Sequence, residues 1–454
     1  MPTTSGGASL PASGNLAAHF AADAITPQSD NTALSSWTDS ISGLSATQPV
    51  GANQPVYRTN RMGGKPSVQA TGTKWLYGAF PALKAVIDSQ LYTVMIVVSN
   101  VVSFANGMVF GNSANSGANT FGFQATGSSV GRYANSNTLM CVPWSSAGFM
   151  TFGESSSPTA LWTPQAGTAN EVLYARGMAI GRLNNTAGPA TSSASGNFAI
   201  FARDDTGALA GKADLYEIIV WNRVLTEVEW AQAEAWACNK YSQPLPWASL
   251  TSLDVHFGDS LSIGVNASDV SKSPPYVCEA ARGRTFGQWA MYASGGTTWG
   301  GMQGHINDAV SLAAYLNLPL NVVAWEWYNE KNTGKTPAQA WADAQAFVTA
   351  FRAAAPASAK LGMLSSTGYL NDGTDPYASV RGAYNALLDS GAAGIVDVYS
   401  PIHSDATAGP LIGNSTAYAN NSATYWSGDG IHLNAAGYNV LSGVHKACLD
   451  AMRP

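Results

Sequence analysis

Leu253-Asp254-Val255-His256-Phe257-Gly258-Asp259-Ser260-Leu261-Ser262 decides the fold of the C-terminal half. Leu253–Phe257 is a short apolar run bounded by a turn, which reads as a buried strand. Gly258-Asp259 supplies a tight turn at its carboxyl end, and Leu261 onward is expected to enter a helix. The same rhythm continues downstream. Leu320–Trp325, Leu361–Ser365 and Ile395–Tyr399 read as further strands. Val277–Ala281 looks helical, and Ile306, Ala309, Val310, Ala313 and Leu316 recur at helical spacing. Thr336 caps a helix with Pro337 at its first position, running to about Ala355. Asp375-Pro376 opens another through Leu388, and Asn434 caps a last helix from Ala435 to about Met452. Strands alternating with helices predict a parallel sheet covered on both faces. Ligands of such sheets sit at the carboxyl ends of strands, and Ser260 falls at one.

Upstream the pattern differs. Leu91–Val98, Gly107–Phe110, Phe121–Gln124, Phe198–Ala202 and Ala213–Trp221 read as short strands separated by Gly, Asn and Ser clusters. Many short strands with Gly-rich turns predict an antiparallel β-sandwich. Asn112–Asn119 and Thr186–Gly196 read as its long loops. One helix closes this half: Thr226 and Glu229 form a capping box, and Val228, Ala231, Ala235 and Cys238 give a stripe. The boundary is Gln243-Pro244-Leu245-Pro246-Trp247-Ala248-Ser249. Residues 1–245 are therefore expected to form the sandwich and residues 250–454 the α/β domain.

Of 454 residues, 46% are hydrophobic and 11% charged, the latter against roughly 25% in an average globular protein. A formal net charge of −6 excludes a nucleic-acid footprint, and no basic amphipathic or long apolar run points to a membrane. Met1-Pro2-Thr3-Thr4-Ser5-Gly6-Gly7 lacks the features of a secretory signal. The polar, weakly charged surface favours an extracellular or virion-borne setting; the open alternatives are action where the chain is made, exit by a route such as cell lysis, and a signal that this sequence does not include. None of Cys141, Cys238, Cys278 and Cys448 forms a C-x-x-C pair. Cys278 and Cys448 fall in expected helices that could meet, as a disulfide or as buried free thiols.

A serine hydroxyl needs a base before it becomes a nucleophile. Ser260, exposed after a strand and a turn, could aim its own N–H at a developing oxyanion. Asp429-x-x-His432 supplies the rest. Residues three apart on a helical turn face the same way, so Asp429 could hold His432 Nδ1 and leave Nε2 for the Ser260 proton. The competing readings are a loop serine, a surface loop before the Asn434 cap, and a metal pair recruiting His403, Asp405 and His256. Neither cofactor nor metal is expected.

These stretches resemble the SGNH/GDSL hydrolases over residues 253–452. Phe257-Gly258-Asp259-Ser260-Leu261 resembles the first of that family's blocks, Ala293-Ser294-Gly295-Gly296-Thr297 the second, and Asp429-Gly430-Ile431-His432 the fourth. The resemblance implies a flavodoxin-like three-layer fold and a serine esterase. Ser260 would be the nucleophile, His432 the base and Asp429 its orienting acid. Ser260 N–H, Gly295 N–H and the Asn329 amide would hold the oxyanion. The third block, Trp325-Glu326-Trp327-Tyr328-Asn329-Glu330, departs from a Gly-x-Asn-Asp pattern, and Asn332 is a rival to Asn329. Trp325, Trp327 and Tyr328 could form a sugar platform, the alternative being core packing. Trp37-Thr38-Asp39-Ser40, Gly64-Lys65-Pro66-Ser67-Val68 and Asp214–Arg223, leading into Leu225-Thr226-Glu227-Val228-Glu229, resemble laminin-G/concanavalin-like jelly rolls. That implies glycan binding or a spacer role. The expectation is an esterase removing O-acetyl groups from a polysaccharide, in a setting such as a phage tail, where a trimer would fit. A lipid or general acyl-ester hydrolase and a non-catalytic glycan-binding virion protein are the alternatives.

Overall fold

The computed structural model describes residues 9–99, 107–112, 121–126, 129–134, 137–143, 149–157, 171–182, 197–203, 206–207, 210–266, 270–368 and 377–453. Most of the loop segments 112–119 and 186–196, and the Asp375-Pro376 helix start, lie outside them. The chain divides into two compact units, one mainly up to Leu245 and one mainly from Pro246.

The first unit is built from antiparallel sheets. In one, Tyr92–Ser99 lies between Met150–Ser156 and Lys212–Trp221. The other has eight strands, from Asn137–Pro143 at one edge to Ser36–Thr38 at the other. Their inner faces meet through edge-on aromatic pairs, Phe123 on Phe152 at 5.6 Å and Phe20 on Trp37 at 5.9 Å. The closing helix, Glu227–Lys240, carries the capping box of Thr226 and Glu229. Its buried face is turned from the expected stripe: Trp230, Ala231, Glu234, Ala237 and Cys238 are buried, whereas Val228 and Ala235 lie at the margin. The cause is Trp230, which stacks on Tyr174 at 4.2 Å and donates to Ser155 Oγ at 3.0 Å.

In the second unit, strands β1 (Leu253–Gly258), β2 (Trp289–Ala293), β3 (Leu320–Ala324), β4 (Lys360–Leu364) and β5 (Val398–Ser400) form one parallel sheet in the order β2-β1-β3-β4-β5. Its helices include α1 (Pro274–Ala281), α2 (Trp299–Gln303), α3 (Ile306–Leu316), α4 (Tyr328–Asn332), α5 (Pro337–Ala354), α6 (Tyr377–Gly391), α7 (Ala408–Ile412), α8 (Ser415–Tyr425) and α9 (Ala435–Met452). Alternation along β1 shows how both faces are covered. Phe257 packs edge-on against Phe347 of α5 at 5.6 Å. On the other face, His256 reaches Glu279 of α1 at 2.9 Å and His445 of α9 at 3.4 Å. Burying a side chain such as Phe257 stabilises by roughly 1.5–3 kcal/mol. The thiols of Cys278 and Cys448 lie buried in one apolar cluster with Leu261, Trp325 and Tyr438, and both are free, so the disulfide reading is corrected.

Two expectations shift. The last strand starts at Val398 rather than Ile395, because Ala392–Gly394 forms a 3-10 turn whose Ala392 carbonyl binds the N–H groups of Ile395 and Val396. No helix follows Ser260. Asp259 Oδ1 takes the Leu261 N–H at 2.8 Å, and left-handed Gly264 (φ 74°) and Asn266 (φ 67°) break the run into successive turns. No described helix is long and apolar enough to cross a membrane.

Candidate active site

The site lies at the carboxyl ends of β1, β2 and β3. The register pairs Gly258 with Ala293 and Phe257 with Ala324, so the turns after all three strands converge. With β1 inside the sheet, the winding reverses here, which is where doubly wound sheets bind ligands. Gly258 is required by close approach. A Cβ there would stand 1.8 Å from Ser262 Oγ, which accepts the Trp325 Nε1–H at 2.7 Å.

Ser260 Oγ lies 2.8 Å from His432 Nε2, and His432 Nδ1 lies 2.6 Å from Asp429 Oδ2. Asp429 and His432 meet across a tight turn rather than a helical one. Gly430 supplies its left-handed residue (φ 70°), and Ser427 N–H closes it on the His432 carbonyl at 2.8 Å. Asp429 Oδ1 accepts from Ser427 Oγ at 2.7 Å and from the N–H groups of Ile431 and His432 at 2.9 and 3.0 Å. Burial opposes its charge. The Ser427 hydroxyl, the His432 ring and those N–H groups outweigh burial and hold the carboxyl well below the usual carboxylate range. The sequence reading missed Asn266, whose amide donates to Asp429 Oδ2 at 2.7 Å. An Asn in a Gly-Val-Asn turn is a signal for left-handed backbone, but nothing in it names a partner 163 residues away.

Ser294 N–H donates to the Gly258 carbonyl at 3.3 Å, which sets the Gly295 turn beside the Ser260 turn. Among the described residues, the backbone N–H groups of Ser260 and Gly295 donate to no other protein group. Asn329 is buried, and its amide nitrogen donates to Asp259 Oδ2 and to the Thr297 carbonyl, both at 3.1 Å. Asn332, the rival, is exposed at the far end of α4.

The third block buries acids as well as aromatics. Glu326 Oε1 accepts the N–H groups of Asn329 at 2.5 Å and Glu330 at 3.1 Å. Burial first, then repulsion from Asp259 and Glu330, lifts Glu326 well above the usual range. Glu330 accepts the Trp299 N–H at 2.7 Å, tying the third block to the start of α2, and pairs with Lys335 at 2.6 Å. Burial pushes Asp259 up to about 6, against the N–H of Leu261, the nearby His432 and the N–H of Ser262.

The sugar platform needs correction. Trp325 and Trp327 are 3% and 2% exposed. Trp325 is fixed by Ser262 and meets His445 edge-on, and Trp327 stacks on Tyr384 at 4.6 Å. Burial of these indoles competes with solvent presentation and prevails, leaving only Tyr328 partly exposed. The metal alternative does not assemble either. His256 is bonded to Glu279 and His445, His403 to Ser365 and Asp389, and Asp405 caps the N–H groups of Thr407 and Ala408.

No model of a known protein family matches the sequence, and no curated protein is similar to it. Solved structures show remote likenesses. A lipolytic protein of the G-D-S-L family from Veillonella parvula is 13% identical, with 44% of this chain and 98% of that one covered at a TM-score of 0.34. For TesA the figures are 19%, 44%, 100% and 0.33. For a Trypanosoma rangeli sialidase in complex with sialic acid they are 12%, 50%, 34% and 0.35, so this chain spans about a third of the sialidase. Such TM-scores are too low to define a shared fold, and the chemistry has to be read from the residues.

Proposed function

We propose that the chain is a serine esterase of SGNH type that removes O-acetyl groups from a polysaccharide. The observation that carries the reading is the continuous hydrogen-bonded line from Asp429 through His432 to Ser260, at 2.6 and 2.8 Å. His432 Nε2 takes the Ser260 proton as Oγ attacks the acyl carbonyl. Asp429 keeps the proton on Nδ1 and stabilises the imidazolium. The oxyanion forms against Ser260 N–H and Gly295 N–H, with the Asn329 amide exchanging one of its present bonds for it. His432 then protonates the leaving sugar oxygen, which departs as a hydroxyl. Water, deprotonated by His432, attacks the acetyl-serine, and His432 returns the proton to Ser260 Oγ as acetate leaves.

The hollow that adjoins the Ser260 turn through Asp259 and Leu261, lined also by Trp325, Trp327, Tyr328 and Ile431, has room for about one water and none for a long acyl chain, which favours a short acyl group such as acetyl. The polysaccharide assignment rests on the antiparallel first unit and the weakly charged composition, as does the extracellular or virion-borne setting. Acetate release from acetylated polysaccharides, alongside nitrophenyl esters of increasing chain length, tests the reading. Acetyl esters are expected to be cleaved best, and Ser260→Ala to lose activity. Full activity in that variant sinks the mechanism, and better cleavage of octanoyl than acetyl esters sinks the acyl assignment.

A further inference from the structure

We infer that Glu326 is a positioning residue for the oxyanion side of the site, acting through Asn329 as a hydrogen-bond acceptor that carries no charge. The inference rests on the serine-esterase reading above. It starts from a conflict in the third block. Where glycines would let the backbone turn freely, this chain has Trp327 and Tyr328, so another group must fix the turn that presents Asn329. Glu326 is that group. One of its carboxyl oxygens takes two successive N–H groups, those of Asn329 and Glu330, at 2.5 and 3.1 Å. Both would otherwise be orphan donors at the start of α4.

The surroundings specify which form of the acid suits the role. Glu326 is 2% exposed, and its second oxygen, Oε2, has no partner among the described residues. No Lys or Arg among those residues pairs with it, and Asp259 and Glu330 repel its charge. A buried carboxylate without a counter-ion is costly, whereas a neutral carboxyl still accepts through its carbonyl oxygen. A neutral acid also adds no negative charge near the oxyanion that forms at Ser260. The Glu326 backbone is held from the other side as well: Tyr384 OH donates to the Glu326 carbonyl at 3.2 Å and accepts from Trp299 Nε1 at 3.1 Å.

Three substitutions test this, read as kcat and KM on an acetyl ester, with Ser260→Ala as the separate control. Glu326→Gln keeps the accepting oxygen and is expected to retain kcat within about twofold. Glu326→Leu fills the space without an acceptor. It is expected to lower kcat by about tenfold or more, at nearly unchanged KM, short of the roughly 100- to 1000-fold cost of deleting an oxyanion donor outright. Combined with Asn329→Ala, it should cost nothing further, because it acts through that amide. Loss of activity in Glu326→Gln overturns the uncharged role. Wild-type kcat in Glu326→Leu, or losses that multiply with Asn329→Ala, overturn the positioning role. If Glu326→Leu does not fold, Glu326→Asp, which withdraws the carboxyl by one methylene, takes its place, and wild-type kcat there overturns the inference. Activity that survives Ser260→Ala instead removes the underlying reading, so the two failures are distinguishable.

Discussion

The two ends of the parallel sheet bury acids in opposite ways. At the amino end, Asp254 of β1 is wrapped by Arg282 at 2.6 Å, Arg284 at 2.7 Å and Arg453 at 3.1 Å, with Asn321 donating at 2.9 Å. At the carboxyl end, Asp259 and Glu326 have no Lys or Arg partner among the described residues and are both lifted by burial. The same strand therefore begins in a compensated network and ends in an uncompensated one. Compensation holds structure together. Uncompensated buried acids are where sites store reactivity.

This contrast can be broken by experiment. The largest expected effect is Asp429→Asn, which keeps the turn but holds His432 in the wrong tautomer. kcat on an acetyl ester should fall about 10⁴-fold, with the folded state retained in circular dichroism. Next comes Asp254→Ala at the other end. It leaves several arginines facing one another, so unfolding in urea should show a loss of about 3–5 kcal/mol, while kcat of the folded fraction stays unchanged. Asp259→Asn comes third. A carboxyl raised in the folded state contributes stability in full below its unfolded value of about 3.9 and loses it as pH rises through about 6. Charged Asp259 therefore costs about 3 kcal/mol near neutrality. The variant should raise Tm at about pH 8 and not at about pH 3.5. The smallest effect concerns His445. Burial, then the neighbouring His256, holds it well below its usual value. Its contribution is complete above about pH 6.5 and is lost as pH falls from there, by up to about 1.4 kcal/mol per pH unit. His445→Leu should flatten that acid limb in urea titrations. An unchanged slope would mean that His445 is not the group being protonated.

The sequence was readable where local chemistry dominates. The Thr336 and Asn434 caps, and the alternation that yields a parallel sheet, depend on neighbours a few residues apart, and they stand as expected. Asp429 and His432 were readable as a pair because only three positions separate them. What was not readable depends on distant partners. Trp325 and Trp327 could be read as core or surface, burial being the commoner use, and Ser262 and Tyr384 decide the matter from elsewhere in the chain. The expected helix after Ser260 failed because Gly264 and Asn266 take left-handed backbone within the first two turns, at φ 74° and 67°. Glu326 drew no notice because an acid in a sequence carries no mark of its burial.

Ser260 and His432 stand 172 positions apart, one just after the first strand of the second unit and the other just before its last helix. On the reading proposed above, turnover therefore reports whether the turn after β1 and the turn before α9 are held together, a contact that no local element guarantees.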